Sequence, residues 1–398
     1  ITERFLWEPW DTVPEMAERE KMSYHIVKEF FDSFSTEPVT KENIVAESAF
    51  KKLEWGENEA AFSTGADEDG CIPVTVTVSE HTDGEAGWYF EPVKLSKGWY
   101  EYSDMSRSDT VSEVILSCGL EKFMSIGQSV SAPSFERNSA RFFVPEECSY
   151  TVLRSLGRNG TLEVCGHSLS KIEPVRLENP VITFSFDDIW ASAATEGAAE
   201  LEKRGWRGTF FVSKKFVAGE DPQYADENMI TELDSRGHEI GFHGSKHTMF
   251  TGMTVEEAEA DIAEGLAWLG GLGIQPEGMA FPFGDLDESS VSAVRKHFSY
   301  SRTSFSGLND LAMNRYGIRV FPVTASTTLQ ELKNFTQSVI DESVWGVFLF
   351  HDIGEPDGIN EYLTSLDDFK ELLDMAVGSG VTVETAGNMM KKLDLPPM

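Results

Sequence analysis

The alternation of apolar and polar positions changes character twice along the chain. Between Val13 and Phe34, the residues Met16, Met22, Ile26, Phe30 and Phe31 recur near the helical period, which predicts a helical arm within residues 1–42. From Asn43 to about Leu169 the period shortens to two, in runs such as 72–78, 87–95, 111–117, 128–130, 140–144 and 161–165 with turn residues between them. Many short alternating strands at this spacing predict an all-β sandwich over 43–172. Ser170 to Pro180 has little periodicity and contains Pro174 and Pro180, so it reads as a linker. After Val181, apolar runs at 181–187, 208–213, 238–243, 278–282, 299–303, 318–323, 346–351 and 381–384 alternate with helical patterns near 192–204, 226–236, 254–270, 287–297, 328–342 and 366–377. Such alternation requires a parallel sheet, and closure into a distorted (β/α) barrel over 173–398 is the economical solution. The expected architecture is therefore multidomain, an all-β sandwich followed by a barrel.

Three of the predicted barrel strands end in ionisable groups. One closes on Asp187-Asp188, a second on His243 with His247 four residues on, and a third on His351. Functional side chains of (β/α) barrels sit at the C-terminal ends of strands. If the chain turns helically after the second strand, the two histidines share a face and converge on one cation. Two imidazoles and one carboxylate leave coordination positions open for water and for a carbonyl oxygen. Adjacent aspartates more often mark a solvated turn, but this pair ends an apolar strand. If one Asp binds the cation, its neighbour points elsewhere along an extended chain, which leaves Asp187 free to take a proton from water, and a protonated imidazole could return one.

Ser185-Phe186-Asp187-Asp188, His243 to His247, Pro282-Phe283-Gly284, and Leu349 with His351 resemble, in order, four motifs of the polysaccharide deacetylases, carbohydrate esterase family four. The resemblance covers roughly Pro180 to the end. It implies that Asp187 is a general base, that Asp188, His243 and His247 hold one divalent metal ion, with zinc expected, and that His351 is a general acid. Pro282, Phe283, Gly284 and Leu349 would then line the substrate site. Three positions depart from the family pattern: Ile189 stands where glycine is expected, Gly244 removes a hydroxyl near the metal, and Ala280 replaces a common arginine. No Asp-x-x-Asp-Trp segment is present to orient His351. Trp190, after the bulky Ile189, is a candidate sugar wall.

A base carboxylate at a strand end needs a partner to fix its orientation. Arg302, on the strand after the proline motif, can supply it, or can be a surface cation among many acids; Arg319 is a weaker candidate. His238, inside a strand, reads as a packed residue. The resemblance implies a metal-dependent hydrolase that removes acetyl groups from an N- or O-acetylated polysaccharide or oligosaccharide. The competing readings are a non-catalytic carbohydrate-binding protein on the same barrel, and an amidase. The first half, at Trp88 to Val93 and Lys97 to Ser103, loosely resembles carbohydrate-binding jelly-roll modules. There Trp88, Trp99, Tyr100 and Tyr102 either stack on sugar rings or fill the core, the commoner role.

Charge narrows the partners. The formal net charge is −34, with 31 acidic against 16 basic residues through position 175 and 36 against 17 after it. Neither half offers the cationic patch that nucleic acid or an anionic membrane needs. No apolar run is long enough to span a bilayer, so membrane insertion is not expected. A uniformly acidic surface suits a saline habitat, where like charges are screened. Residue 1 is Ile, for which a cleaved signal peptide is one cause and truncation for expression another; the first gives the expectation of a secreted, extracellular protein. Cys71, Cys118, Cys148 and Cys165 all fall in the first half; they allow three pairings into two disulfides, or buried thiols, and with no Cys-x-x-Cys they do not form a zinc site.

Overall fold

The computed structural model describes residues 43–45, 50–67, 71–119, 122–129, 132–217, 221–284, 286–356 and 358–394, so the helical arm expected in 1–42 lies outside the described residues. Residues 43–398 form one compact unit.

Its first part is two antiparallel sheets. One contains β1 (Phe50–Trp55), β4 (Glu85–Phe90), β10 (Cys148–Leu156), β7 (Ser112–Cys118) and β8 (Lys122–Ser129) in that order, with β5 (Val93–Leu95) also on β10. The other runs β2 (Asn58–Thr64), β3 (Val74–His81), β11 (Gly160–Ile172), β6 (Gly98–Ser108), β9 (Ala132–Val144). Alternation turns one side of each strand inward. Phe90, Leu116, Ile126 and Val152 of the first sheet thereby share a cluster with Tyr100, Tyr102, Phe142 and Leu169 of the second. Trp88, Trp99, Tyr100 and Tyr102, which could have been sugar platforms, are 5%, 2%, 2% and 1% exposed. All four are core: Trp88, Tyr100 and Tyr102 fill the space between the layers, and Trp99 packs in the cluster shared with the barrel. The cysteines pair as Cys71–Cys165 and Cys118–Cys148, one of the three arrangements open from sequence.

The expected linker is shorter than the sequence suggested. Ser170 to Ile172 extend β11, and the segment after it is pinned by Val175 N–H to Asp310 Oδ2 at 3.0 Å and Leu177 N–H to the Ser343 carbonyl at 2.7 Å.

The second part is a parallel barrel of seven strands: β12 (Val181–Phe186), β13 (Thr209–Val212), β14 (Glu239–Phe242), β15 (Gly278–Ala280), β16 (Tyr300–Ser306), β17 (Ile318–Pro322) and β18 (Trp345–Phe350). It closes because β12 pairs with both β18 and β13. Past β18 come a two-stranded ladder, β19 (Asp352–Gly354) with β20 (Leu363–Ser365), and then β21 (Thr382–Val383) beside the start of β12. The lumen is filled by Phe211, Ala280, Tyr300, Ile318, Val320, Val347 and Leu349. Around it lie α1 (Ala198–Lys203), α2 (Lys214–Val217), α3 (Glu227–Ser235), α4 (Val255–Gly271), α5 (Glu288–His297), α6 (Leu329–Glu342), α7 (Leu366–Ser379) and α8 (Ala386–Asp394). The capping box expected at Thr254 and Glu257 opens α4. The helix expected over 192–204 is present, continuous over 191–203, with Ala193–Gly197 wound as a π-helix ahead of α1.

No helix joins β16 to β17, and the sandwich stands near the position one would have filled. Trp99, Phe143 and Ile172 belong to the same apolar cluster as Leu308, Val323, Leu332 and Phe335 of the barrel. Arg141 pairs with the buried Asp310, and Arg319 donates to the carbonyls of Ser125 and Ile126 on the edge strand β8. Arg319 is thus part of this interface and not of the site.

The two disulfides close loops of 94 and 30 residues, for which chain entropy gives about 4–5 and about 3–4 kcal/mol. Reducing the folded protein should therefore lower its thermal midpoint, and thiol titration of the native protein should find no free cysteine; one titratable thiol per chain would contradict the pairing.

Candidate metal centre and active site

The site forms where β12, β14, β15, β16 and β18 end. After Phe186 the chain does not continue extended. Asp188 and Ile189 have φ of 66° and 67°, a left-handed turn that costs about 1–2 kcal/mol per residue and more for β-branched Ile189. This turn, and not the strand alternation expected from sequence, sets the two carboxylates apart. Ile189 offsets the cost by complete burial, and its carbonyl accepts from Ala225 N–H at 2.9 Å.

His243 and His247 do converge, though not through a helical turn. The loop between them carries Gly244 at φ 76°, where a Cβ would also lie 3.0 Å from Pro282, and His247 at φ 47°. Asp261 of α4 holds the loop from below, accepting from Ser245 N–H at 2.7 Å and Lys246 N–H at 3.3 Å. Burial pushes the Asp261 carboxyl up, and these amides oppose the shift. A carboxylate buried on the next helix is invisible to motif reading; its signal would have been an acid on the apolar side of a helix.

His243 Nδ1 lies 2.9 Å from the Ala280 carbonyl, so as a donor it leaves Nε2 lone-paired toward the site. Asp188 Oδ1 is 3.4 Å from His243 Nε2 and 3.0 Å from His247 Nε2, and the three ligand atoms lie within 4.8 Å of one another. The edges of a tetrahedron of ~2.1 Å bonds are about 3.4 Å, so these spacings suit one shared cation. Asp188 Oδ1 is buried and makes no well-directed hydrogen bond to either imidazole despite the short distances, which fits a metal-ligand oxygen. Burial opposes ionisation of Asp188, but the two histidines outweigh it and hold the carboxyl well below the usual range. For His243, burial opposes protonation while Asp187 and Asp188 raise its pKa above the ordinary value.

Asp187 is 3% exposed, and the guanidinium of Arg302 grips both its oxygens. Arg302 is itself buried; it also donates to the Thr303 carbonyl at 3.0 Å and lies 5.1 Å from the Phe211 ring centroid. Ala280 and Arg302 are register partners on adjacent strands, so the guanidinium arrives from the neighbour of the strand that lacks it. Asp187 Oδ2 stands 3.7 Å from His243 Nε2, beside the ligand cluster. His351, half-buried at the end of β18, packs against Tyr362 at 4.7 Å; burial lowers its pKa, with Asp187 and Asp188 acting to raise it.

The other expected residues divide. Phe283 is 57% exposed at φ 61° with its ring 4.8 Å from His247, whereas Pro282 and Gly284 are buried. A Cβ on Gly284, at φ 75°, would fall 1.9 Å from Ser304 Oγ, so this pair shapes the turn that presents Phe283. Leu349 is 4% exposed, packed in the lumen. Trp190 is half-buried and meets Tyr224 at 5.1 Å; Tyr224 stacks on Phe216 at 4.5 Å, and Phe216 reaches His247 at 4.9 Å. Sequence reading missed Phe216 and Tyr224, which extend the aromatic wall from Trp190 to the metal ligands. His238 accepts from Gly208 N–H at 3.0 Å and sits 2.8 Å from Glu202, a packed residue as expected.

Residues 175–298 match the family profile described as polysaccharide deacetylase. The match takes in Asp187, Asp188, His243, His247 and Pro282 to Gly284, and stops short of Arg302 and His351. No curated protein matches the chain. Similar solved structures include the carbohydrate esterase family four domain of a multidomain xylanase from the hindgut metagenome of Trinervitermes trinervoides, at 16% identity and TM-score 0.41 over 55% of this chain and 94% of that one. A family 4 acetyl xylan esterase from Clostridium thermocellum gives 19% and 0.40 over 54% and 93%, and a family pseudoenzyme from Bacillus anthracis 10% and 0.39 over 55% and 68%. Likeness at these scores adds nothing to the site's own geometry.

Elemental analysis should find one divalent ion per chain, and His247→Ala should lose it; stoichiometric, tightly held metal in that variant would break the assignment. Because a cation must displace the proton favoured on His243, metal affinity should fall as pH drops through the histidine range, by about tenfold per unit for one displaced proton. A pH-independent affinity by titration calorimetry would remove His243 from the ligand set.

Proposed function

We propose that this protein is a secreted, metal-dependent hydrolase that removes acetyl groups from an acetylated polysaccharide. The observation that carries the reading is the convergence of Asp188, His243 and His247 beside an Asp187 held by a buried Arg302, all at strand ends of one barrel. The donor set of two imidazoles and one carboxylate favours zinc. Bound there, the ion would polarise the acetyl carbonyl and acidify a water.

The chain's own groups supply the rest. Asp187, gripped by Arg302, takes the proton of the attacking water as the water oxygen bonds to the carbonyl carbon. His351 gives a proton to the leaving nitrogen or oxygen as the C–N or C–O bond breaks, so that acetate and the free amine or hydroxyl are the products. The wall of Trp190, Tyr224 and Phe216 and the exposed Phe283 offer apolar faces on which a sugar ring can rest.

We assign residues 43–172 to the sandwich and 173–398 to the catalytic barrel. The order β3-β11-β6-β9 facing β4-β10-β7-β8 supports reading the sandwich as a jelly roll. With its central aromatics buried, any sugar contact it makes must come from other residues. Two disulfides fit an oxidising, extracellular compartment.

Acetate release from a panel of N- and O-acetylated chito-, xylo- and peptidoglycan oligosaccharides should be seen, should vanish with a chelator and should return with zinc. A metal-loaded protein that binds these sugars and releases no acetate would favour the non-catalytic reading instead. Asp187→Asn should keep the metal and lose about 10²–10⁴ in kcat. Arg302→Ala should lower kcat with metal content unchanged, and wild-type turnover in that variant would show that the carboxylate needs no tether.

A further inference from the structure

Resting on the acid role just assigned to His351, we propose that Tyr362 is its positioning residue, holding the imidazole by ring packing where no carboxylate among the described residues does so. His351 Nδ1 is buried and has no hydrogen-bond partner among the described residues. The nearest acid in sequence, Asp352, is committed elsewhere: Ser192 Oγ donates to Oδ1 and Asn360 Nδ2 donates to Oδ2 at 2.9 Å. Those bonds shape the loop that carries Tyr362. Asn360 Oδ1 accepts from Tyr362 N–H at 3.0 Å, and the ladder between β19 and β20 places Leu363 opposite Asp352. Tyr362 is thus fixed one residue before that pairing, with its ring 4.7 Å from the imidazole at an interplanar angle of 45°. A general acid works only if its N–H faces the leaving atom, and an imidazole without a bond at Nδ1 must have its plane set by packing. Among the described residues, Tyr362 is the ring in contact with it.

The test uses the metal-loaded full chain, with an acetylated oligosaccharide found to be a substrate and with 4-nitrophenyl acetate, whose leaving group departs as a stable anion and needs no proton. Tyr362→Ala should lower kcat on the oligosaccharide by about 10- to 100-fold with KM little changed, and should leave turnover of the nitrophenyl ester nearly intact. Tyr362→Phe, which keeps the ring, should recover most of the loss, and Tyr362→Leu should not. Three results would overturn the proposal: wild-type kcat in Tyr362→Ala, equal losses on both substrates, or a rise in KM alone, which would make Tyr362 a sugar contact. His351→Ala run alongside separates the two levels. If it spares oligosaccharide turnover, the acid role itself falls; if it abolishes turnover while Tyr362→Ala does not, only the positioning falls.

Discussion

The buried pair between Asp187 and Arg302 is the interaction on which the site depends. Both side chains are almost wholly removed from solvent, and a lone charge there would cost several kcal/mol. Each is tolerable only with the other, and breaking such a pair typically costs about 3–5 kcal/mol. The pair joins β12 to β16, which are not neighbours in the barrel, so it spans the lumen at its C-terminal end. Ala280 stands opposite Arg302 in the ladder, and the carbonyl of that same Ala280 fixes the His243 tautomer. One strand position therefore touches both the base's partner and the metal ligand, through its place in the ladder and through its backbone carbonyl.

The barrel also depends on the sandwich. Where a (β/α) unit would place a helix between β16 and β17, the chain supplies Trp99, Phe143 and Ile172 from the first domain. Arg319 donates to open carbonyls of the edge strand β8, which satisfies an edge that would otherwise be free to pair with another chain. Burial lowers the Arg319 pKa to about 10, a cost accepted because backbone oxygens surround the guanidinium. A module joined in this way cannot swing on a linker. It stands fixed beside β16, whose last residues also touch the turn that presents Phe283, since Ser304 Oγ donates to the Phe283 carbonyl at 3.3 Å.

The barrel was legible because its strands are buried on both faces and read as unbroken apolar runs, while its helices carry caps and helical spacing. The sandwich was harder. β10 hides from an alternation search because its inward series Tyr150, Val152, Arg154, Leu156 includes a charge, with Arg154 against Asp104 at 2.7 Å and both side chains fully buried, while Leu153 and Ser155 on its other side are buried too. The metal ligands could be found because they sit at strand ends in a recurring spacing. The way they meet could not: neither the left-handed turn at Asp188 nor the clamp from Asp261 leaves a mark in local periodicity. Arg302 was open to two readings from sequence, since a lone arginine in an acidic chain pairs with something wherever it lies. Tyr362 gave no signal because its contact with His351 is made through a loop closed by Asp352 and Asn360.

Strain locates the site independently of any motif. Among the described residues, the non-glycine positions with positive φ are Asp188, Ile189, His247, Phe283 and Ser343, and only Ser343, which ends α6, has an ordinary helix-terminal explanation. The other four ring the ligand cluster. At about 1–3 kcal/mol each, their combined cost is of the order of a whole domain's net stability, so the surrounding structure must over-determine them. It does so by identifiable means: Ile189 by complete burial, His247 by the loop held on Asp261, and Phe283 by Gly284 closing on Ser304. A chain that needed only to fold would relax these positions to glycine. Keeping side chains there makes sense if the carboxylate, the imidazole and the exposed ring each have a chemical task, and the strain is then the cost of holding them before substrate arrives.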